Sequence, residues 1–110
     1  MRFGAGGIIM ATYQMQDGTV VKTENATHHW DEARDWDGNN HIGRSSRSQW
    51  HDQTLYRSRK GRYYIEYSSR EQGVMDRVEW ISPERAAAWL LLNKEELPED
   101  LAQLADQVSE

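Results

Sequence analysis

Cysteine is absent from all 110 residues. Disulfides, thiolate metal sites and thiol nucleophiles are thereby excluded, and a chain without cysteine suits a reducing compartment. No apolar run comes near the ~18 residues that a membrane helix needs. No charged segment precedes an apolar signal-like stretch, so the expected location is the cytoplasm, with no membrane partner. Proline occurs twice and phenylalanine once. The bulk that is missing there is supplied by five Trp and five Tyr. Each such ring can bury roughly 150–250 Å². A domain of this size hides only about two-thirds of its chain surface, so a few large side chains must carry much of the core. They outweigh a composition, 28% charged and 37% hydrophobic, that leans toward disorder.

The first seven residues (MRFGAGG) read as a flexible lead-in, with Met10 as an alternative start, and residues 8–108 as a single domain. Ile8 to Gln16 alternates from Ala11 onward, with Ala11, Tyr13 and Met15 on one side. Period two marks a half-buried strand. Asp17-Gly18 and then Thr19 to Thr23 complete a hairpin signature. Asn25 reads as the N-cap of a helix over Ala26 to Trp36, which would place Trp30, Ala33 and Trp36 on one face and end at Gly38. Asn39 to Ser48 reads as a loop.

Gln53 to Ser58 and Arg62 to Ser68 form a second hairpin about the turn Ser58-Arg59-Lys60-Gly61. That turn sets Arg57 opposite Tyr63, Tyr56 opposite Tyr64 and Leu55 opposite Ile65. Leu55, Tyr63, Ile65 and Tyr67 then share the core face, while Thr54, Tyr56, Tyr64 and Glu66 are expected to be half exposed. Arg77 to Ile81 is a fifth strand. Ser82-Pro83-Glu84 opens a helix to Leu92, with a Ser N-cap, Pro at the first position and an acid in the first turn. A last helix runs from Glu99 to Val108. The fold expected is α+β, a five-stranded antiparallel sheet with two to three helices on one face, in the order β-β-α-β-β-β-α-α. Trp80, Trp89, Leu90, Leu91, Leu55 and Ile65 form its core.

The segments TLYRS, KGRYYIEY, VEWISPERAAAWLLLN and LPEDL, between Thr54 and Leu101, resemble a strand-strand-strand-helix pattern. That pattern occurs in small accessory proteins of bacterial genomes, phages and plasmids. The resemblance covers somewhat under half of the chain and rests on turn and core signals. It implies a shared fold and, by context, an inhibitor or regulator of the anti-CRISPR or wider anti-defence type. It carries over no catalytic or ligand residue.

Complete catalytic sets are missing. The four histidines, His28, His29, His41 and His51, offer at best His28 with Glu32 at helical spacing, and zinc needs three or four converging ligands. No metal and no cofactor is expected. The loop serines lack a nucleophile elbow, and Gly4 to Gly7 precedes a strand where a phosphate loop would follow one. The expectation is a protein that is not an enzyme.

Charge is distributed unevenly. Residues 44–62 hold six basic side chains against one acidic, Asp52, whereas the remainder holds seven against seventeen. Aromatic rings interleave with the basic segment. The candidate contact surface is therefore Arg44, Arg47, Trp50, Tyr56, Arg57, Arg59, Lys60, Arg62 and Tyr64, with Tyr56 and Tyr64 as an exposed stacking pair. Glu95, Glu96, Glu99 and Asp100 form an alternative, acidic contact face. The partner expected is a host protein or nucleoprotein complex that the chain inhibits or regulates. The alternative is a small nucleic-acid-binding regulator that uses the basic aromatic hairpin 44–67. The oligomeric state is left open.

Overall fold

A computed structural model describes residues 11–109. The expected lead-in at residues 1–7 and the first three positions of strand one lie outside them. The fold is α+β and its strand pairs are antiparallel, but the strands do not form one five-stranded sheet. Among the described residues they divide into a central four-stranded sheet and two two-stranded ribbons.

The central sheet has the order β3-β6-β7-β8. It comprises β3 (His28–Asp31), β6 (His51–Arg57), β7 (Tyr63–Ser69) and β8 (Arg77–Ile81). The β6–β7 register is the one that the turn dictates, with Leu55 opposite Ile65, Tyr56 opposite Tyr64 and Arg57 opposite Tyr63. Gly61 takes φ +87° and its N–H donates to the Ser58 carbonyl at 2.9 Å. A side chain at that φ would be strained, which is why glycine ends this turn.

Both faces of the sheet are covered. Leu55, Tyr63, Ile65 and Ile81 pack against Ala86, Ala87, Trp89 and Leu90 of α1 (Pro83–Leu92) and against Leu101 of α2 (Glu99–Ala102). Ser82 caps α1 by accepting the Arg85 N–H at 3.1 Å, with Pro83 in the first turn. The expected last helix is broken into α2 and α3 (Ala105–Val108). Leu91, 38% exposed, faces away from the core that the sequence assigned to it, because Ala86, Ala87 and Leu90 already fill the face toward the sheet.

On the other face lies the ribbon of β1 (Thr12–Gln14) and β2 (Val20–Lys22), joined through Asp17-Gly18. Its Met15 and Val21 cover Tyr56 and Tyr64, with Tyr13, Val78 and Trp80 around them. This reverses one expectation. Thr54, Tyr56, Tyr64 and Glu66 are 1 to 5% exposed, since the hairpin of β1 and β2 folds over the face they share. Trp80 belongs to this second cluster and not to the helix-side core.

The helix expected over Ala26 to Trp36 is absent. Its place is taken by β3 and by β4 (Arg34–Trp36), which pairs with β5 (His41–Gly43); a single 3-10 turn (Thr23–Asn25) precedes them. The reason is tertiary. β6 has a second edge, and β3 satisfies its backbone groups while setting Trp30 over Tyr63 at 6.5 Å between ring centroids. His, Trp, Asp and Thr are weak helix formers, so pairing overrides the three-residue spacing. Gly38 keeps a positive φ, +105°, as part of the β4–β5 turn, where Asp37 Oδ1 accepts the N–H groups of Asn39 and Asn40 at 2.8 Å.

Candidate functional site

The seven-residue strands of the β6–β7 hairpin divide the basic segment between two ends. His51 pairs with Ser69 at one end and Arg57 with Tyr63 at the other. At ~3.4 Å per residue those ends stand roughly 20 Å apart. Arg44, Arg47 and Trp50 belong to the first end, Arg59, Lys60 and Arg62 to the second, so the candidate residues do not make one continuous surface.

Several of the expected contact residues are engaged internally. Tyr56 and Tyr64 do stack, with centroids 5.0 Å apart, but each is only 1% exposed and neither can meet a partner there. Arg44 reaches Asp35, Nε to Oδ2 2.8 Å. Arg57 reaches Asp100 at 3.3 Å and donates to Thr27 Oγ1 at 3.1 Å. Asp100, itself an exposed residue, also accepts the Tyr63 hydroxyl at 2.8 Å, so part of its carboxylate is engaged internally. Burial opposes the Asp100 charge, but the Tyr63 hydroxyl and the Arg57 guanidinium prevail and hold its carboxyl below the ordinary range. Glu96 and Glu99 are exposed and Glu95 is half-buried.

The first end is organised by charges that the sequence pattern had placed on a helix. Glu32 is a buried carboxylate. Its Oε1 accepts the N–H groups of Ser45 (2.9 Å) and Ser46 (2.8 Å), and its Oε2 accepts that of Gln53 (2.9 Å). Arg34 donates to the carbonyls of His41 (3.2 Å), Ser48 (3.0 Å) and His51 and to the Asp52 carboxylate. Asn93, at the end of α1, accepts the Ala33 N–H at 2.8 Å and donates to Ser45 Oγ at 2.7 Å and to the Trp89 carbonyl at 2.8 Å. This node fixes the β4–β5 ribbon and the loop after it to the core. Trp36 and Trp50 stand exposed beyond it.

The histidines are dispersed. His28 stacks on Trp30, His29 on Tyr56 and His41 lies against Trp36. His28 is exposed and Glu32 buried, and they lie on an extended segment, so the helical pairing does not exist. His51 Nδ1 lies 2.9 Å from Ser48 Oγ, and that oxygen also accepts the Trp50 N–H. Nearby Asp52 pairs with Arg34 and Arg70, and the bond from the Trp50 N–H makes Ser48 a turn-forming serine. Among the described residues no three His, Asp or Glu side chains gather as metal ligands.

The second end is different. A cleft of about 290 Å³ opens between the β6–β7 turn and β2. Lys22, Arg59, Lys60 and Arg62 line it, and among the described residues no carboxylate does. Arg59 and Lys60 occupy a rigid turn: Ser58 N–H donates to the Arg62 carbonyl at 2.7 Å, and Arg62 N–H to Ser58 Oγ at 3.0 Å. Among the described residues neither Arg59 nor Lys60 forms an ion pair. Arg62 is anchored, its guanidinium carbon 3.7 Å from the Trp80 ring centroid and its Nη1 3.5 Å from Asp17. Asp17 is held charged, its pKa lowered to about 2 chiefly by the Thr19 N–H. Subtracting that one acid from the four bases leaves three net positive charges at the cleft.

Val20, Val21, Tyr64 and Trp80 supply the apolar part of the lining. The Tyr64 hydroxyl is buried and has no hydrogen-bond partner among the described residues. Lys22 and Trp80 escaped the sequence reading. Lys22 lies nearly forty residues from Arg59 and Lys60, and only the fold of the β1–β2 ribbon across the sheet brings it there. No local pattern carries that information.

No family model matches the chain, and no similar curated protein or solved structure was found. No helix among the described residues is long and apolar enough to cross a membrane.

Proposed function

We propose that this is a non-enzymatic binding protein that grips an anionic surface of a host protein or nucleoprotein complex and thereby inhibits or regulates it. The observation that carries the reading is the cationic cleft: four basic side chains on a rigid frame, with no carboxylate among the described residues of its lining. Positive potential focused in a concavity steers anionic partners and speeds their docking. The two cationic residues of the turn, Arg59 and Lys60, form no ion pair among the described residues, unlike Arg44 and Arg57.

The sequence resemblance to mobile-element accessory proteins supports an anti-defence setting. A regulator that tracks single strands by stacking successive bases is less favoured, because Tyr56 and Tyr64 are enclosed by the β1–β2 ribbon. The exposed Trp36, Trp50 and Met75 at the opposite end suit a second, protein-facing contact.

The test is site-specific photocrosslinking in host lysate from position 60, with position 94 as the control. A defined species should crosslink at 60 alone and disappear in R59E/K60E. Nuclease treatment distinguishes a nucleoprotein from a protein partner. A crosslinking pattern that is the same from both positions, or that R59E/K60E leaves intact, ends the proposal.

A further inference from the structure

We infer that the cleft between β2 and the β6–β7 turn is a binding site for a nucleoside phosphate. This rests on the reading of the cleft as the anion-gripping site and specifies its ligand.

The lining is divided by chemistry. One part is made of donors: the ammonium groups of Lys22 and Lys60 and the guanidinium groups of Arg59 and Arg62. Ser58 lies among them. Its oxygen already accepts the Arg62 N–H, so its hydroxyl hydrogen is the group left to offer. Phosphate oxygens accept bidentately from the guanidinium groups and singly from the ammonium groups, and a phosphate monoester brings more than one negative charge, whereas a protein carboxylate brings one. Three net positive charges in so small a space are better matched by a phosphate ester than by a single Asp or Glu.

The other part is apolar and aromatic, with Val20 57% exposed at the lip and Trp80 beside it. Inorganic phosphate has nothing to place there. A nucleoside has a planar, largely apolar base. Arg62 offers that base a platform, because its guanidinium is already held over Trp80 and bases stack on arginine planes. Asn25 lines the same cleft with a side-chain amide that can meet a base edge. The volume, about 290 Å³, falls at the lower end of small-ligand pockets.

The frame is preorganised, so binding orders little. The turn is closed by three hydrogen bonds around Ser58, and Arg62 is fixed by Asp17 and Trp80. Such rigidity reduces the entropy lost on association. The same chemistry is presented by a free nucleotide and by the phosphorylated end of a nucleic-acid strand.

The experiment is an NMR titration of the full chain with ADP, adenosine, pyrophosphate and a 5′-phosphorylated oligonucleotide. ADP is expected to shift the Lys60 and Gly61 amides and the Trp80 indole N–H. Adenosine should leave them unmoved, and pyrophosphate should bind at least tenfold more weakly than ADP. R59A/K60A should lose at least tenfold in ADP affinity while its spectrum elsewhere stays that of the parent, and K94A should lose nothing. An oligonucleotide that binds more tightly than ADP assigns the site to a strand end, and one that binds no better assigns it to the free nucleotide. The inference falls if ADP moves nothing at the cleft, if pyrophosphate binds as well as ADP, or if K94A weakens binding as much as R59A/K60A. A crosslinked partner at position 60 with silent ADP removes the ligand and leaves the proposed function standing. ADP binding without any such partner does the reverse.

Discussion

The Glu32 carboxylate fills the space that a side chain at position 43 would need. A Cβ on Gly43 would stand 2.3 Å from Glu32 Oε1 and 2.4 Å from Ser46 Oγ. Three backbone N–H groups hold that carboxylate, so it cannot swing aside without losing them. The glycine is required for room.

G43A should therefore cost about 2–4 kcal/mol in urea unfolding, through overpacking and strained charge-assisted hydrogen bonds. In an E32A background the same alanine should cost less than half of that. Equal costs in both backgrounds would break the link between the two residues.

Asn93 ties the end of α1 to Ala33 and Ser45. N93A leaves the partly buried Ala33 N–H without its acceptor, at a cost of about 1 kcal/mol. Hydrogen exchange should show the Ala33 amide losing protection first, with the β6 and β7 amides affected only through global stability. Unchanged exchange at Ala33 would show that the ribbon is held by other means.

Two stacked tyrosines should answer differently to the loss of a hydroxyl. The Tyr56 hydroxyl donates to Glu66 at 3.3 Å, whereas that of Tyr64 is buried without a partner among the described residues. Y56F is expected to destabilise by about 1 kcal/mol, and Y64F to be neutral or mildly stabilising, since it removes an unmet polar group. Thermal unfolding of the pair settles the point. A Y64F loss as large as that of Y56F would contradict the assignment.

Alkaline pH should unfold the chain. Burial raises the phenol pKa values of Tyr13, Tyr63, Tyr64 and Tyr67, with Glu66, Asp100 and Glu79 adding to the shifts of Tyr13, Tyr63 and Tyr67 in turn. The folded state thus holds these protons more tightly than the unfolded chain, whose phenols titrate near ~10. Their stabilising contribution is complete below that value and declines as pH rises above it. Ultraviolet titration should find most phenols ionising together with loss of near-ultraviolet circular dichroism. Independent ionisation of the four in a chain that stays folded would refute this.

Parts of the architecture were readable because they are local. The Asp17-Gly18 hairpin, the Ser58–Gly61 turn with its register, and the Ser82-Pro83-Glu84 helix start each need only a few neighbouring residues. A turn that demands a left-handed glycine sets its own strand pairing. The stretch from Ala26 to Trp36 was misread because its local spacing suits a helix while the open edge of β6 claims it as a strand. A second Asp-Gly pair, Asp37-Gly38, suits a helix end as well as the turn that it makes between β4 and β5.

The site followed the same division. Charge segregation along the chain pointed to Arg59, Lys60 and Arg62, yet it could not distinguish them from Arg44 and Arg57. Those two are neutralised by Asp35 and Asp100, residues distant in sequence or on a separate element. Nor could it show that Tyr56 and Tyr64 lie beneath a ribbon.

From its residues alone the chain specified turns, caps, strand register and a surplus of cationic side chains in one segment, because each depends on neighbours a few positions away. Tertiary structure alone decided which sheet face is covered, which arginines are cancelled by carboxylates, and that Lys22 and Trp80 complete the cleft. Burial and Coulomb interactions act through space, and the chain brings those groups together only once it has folded.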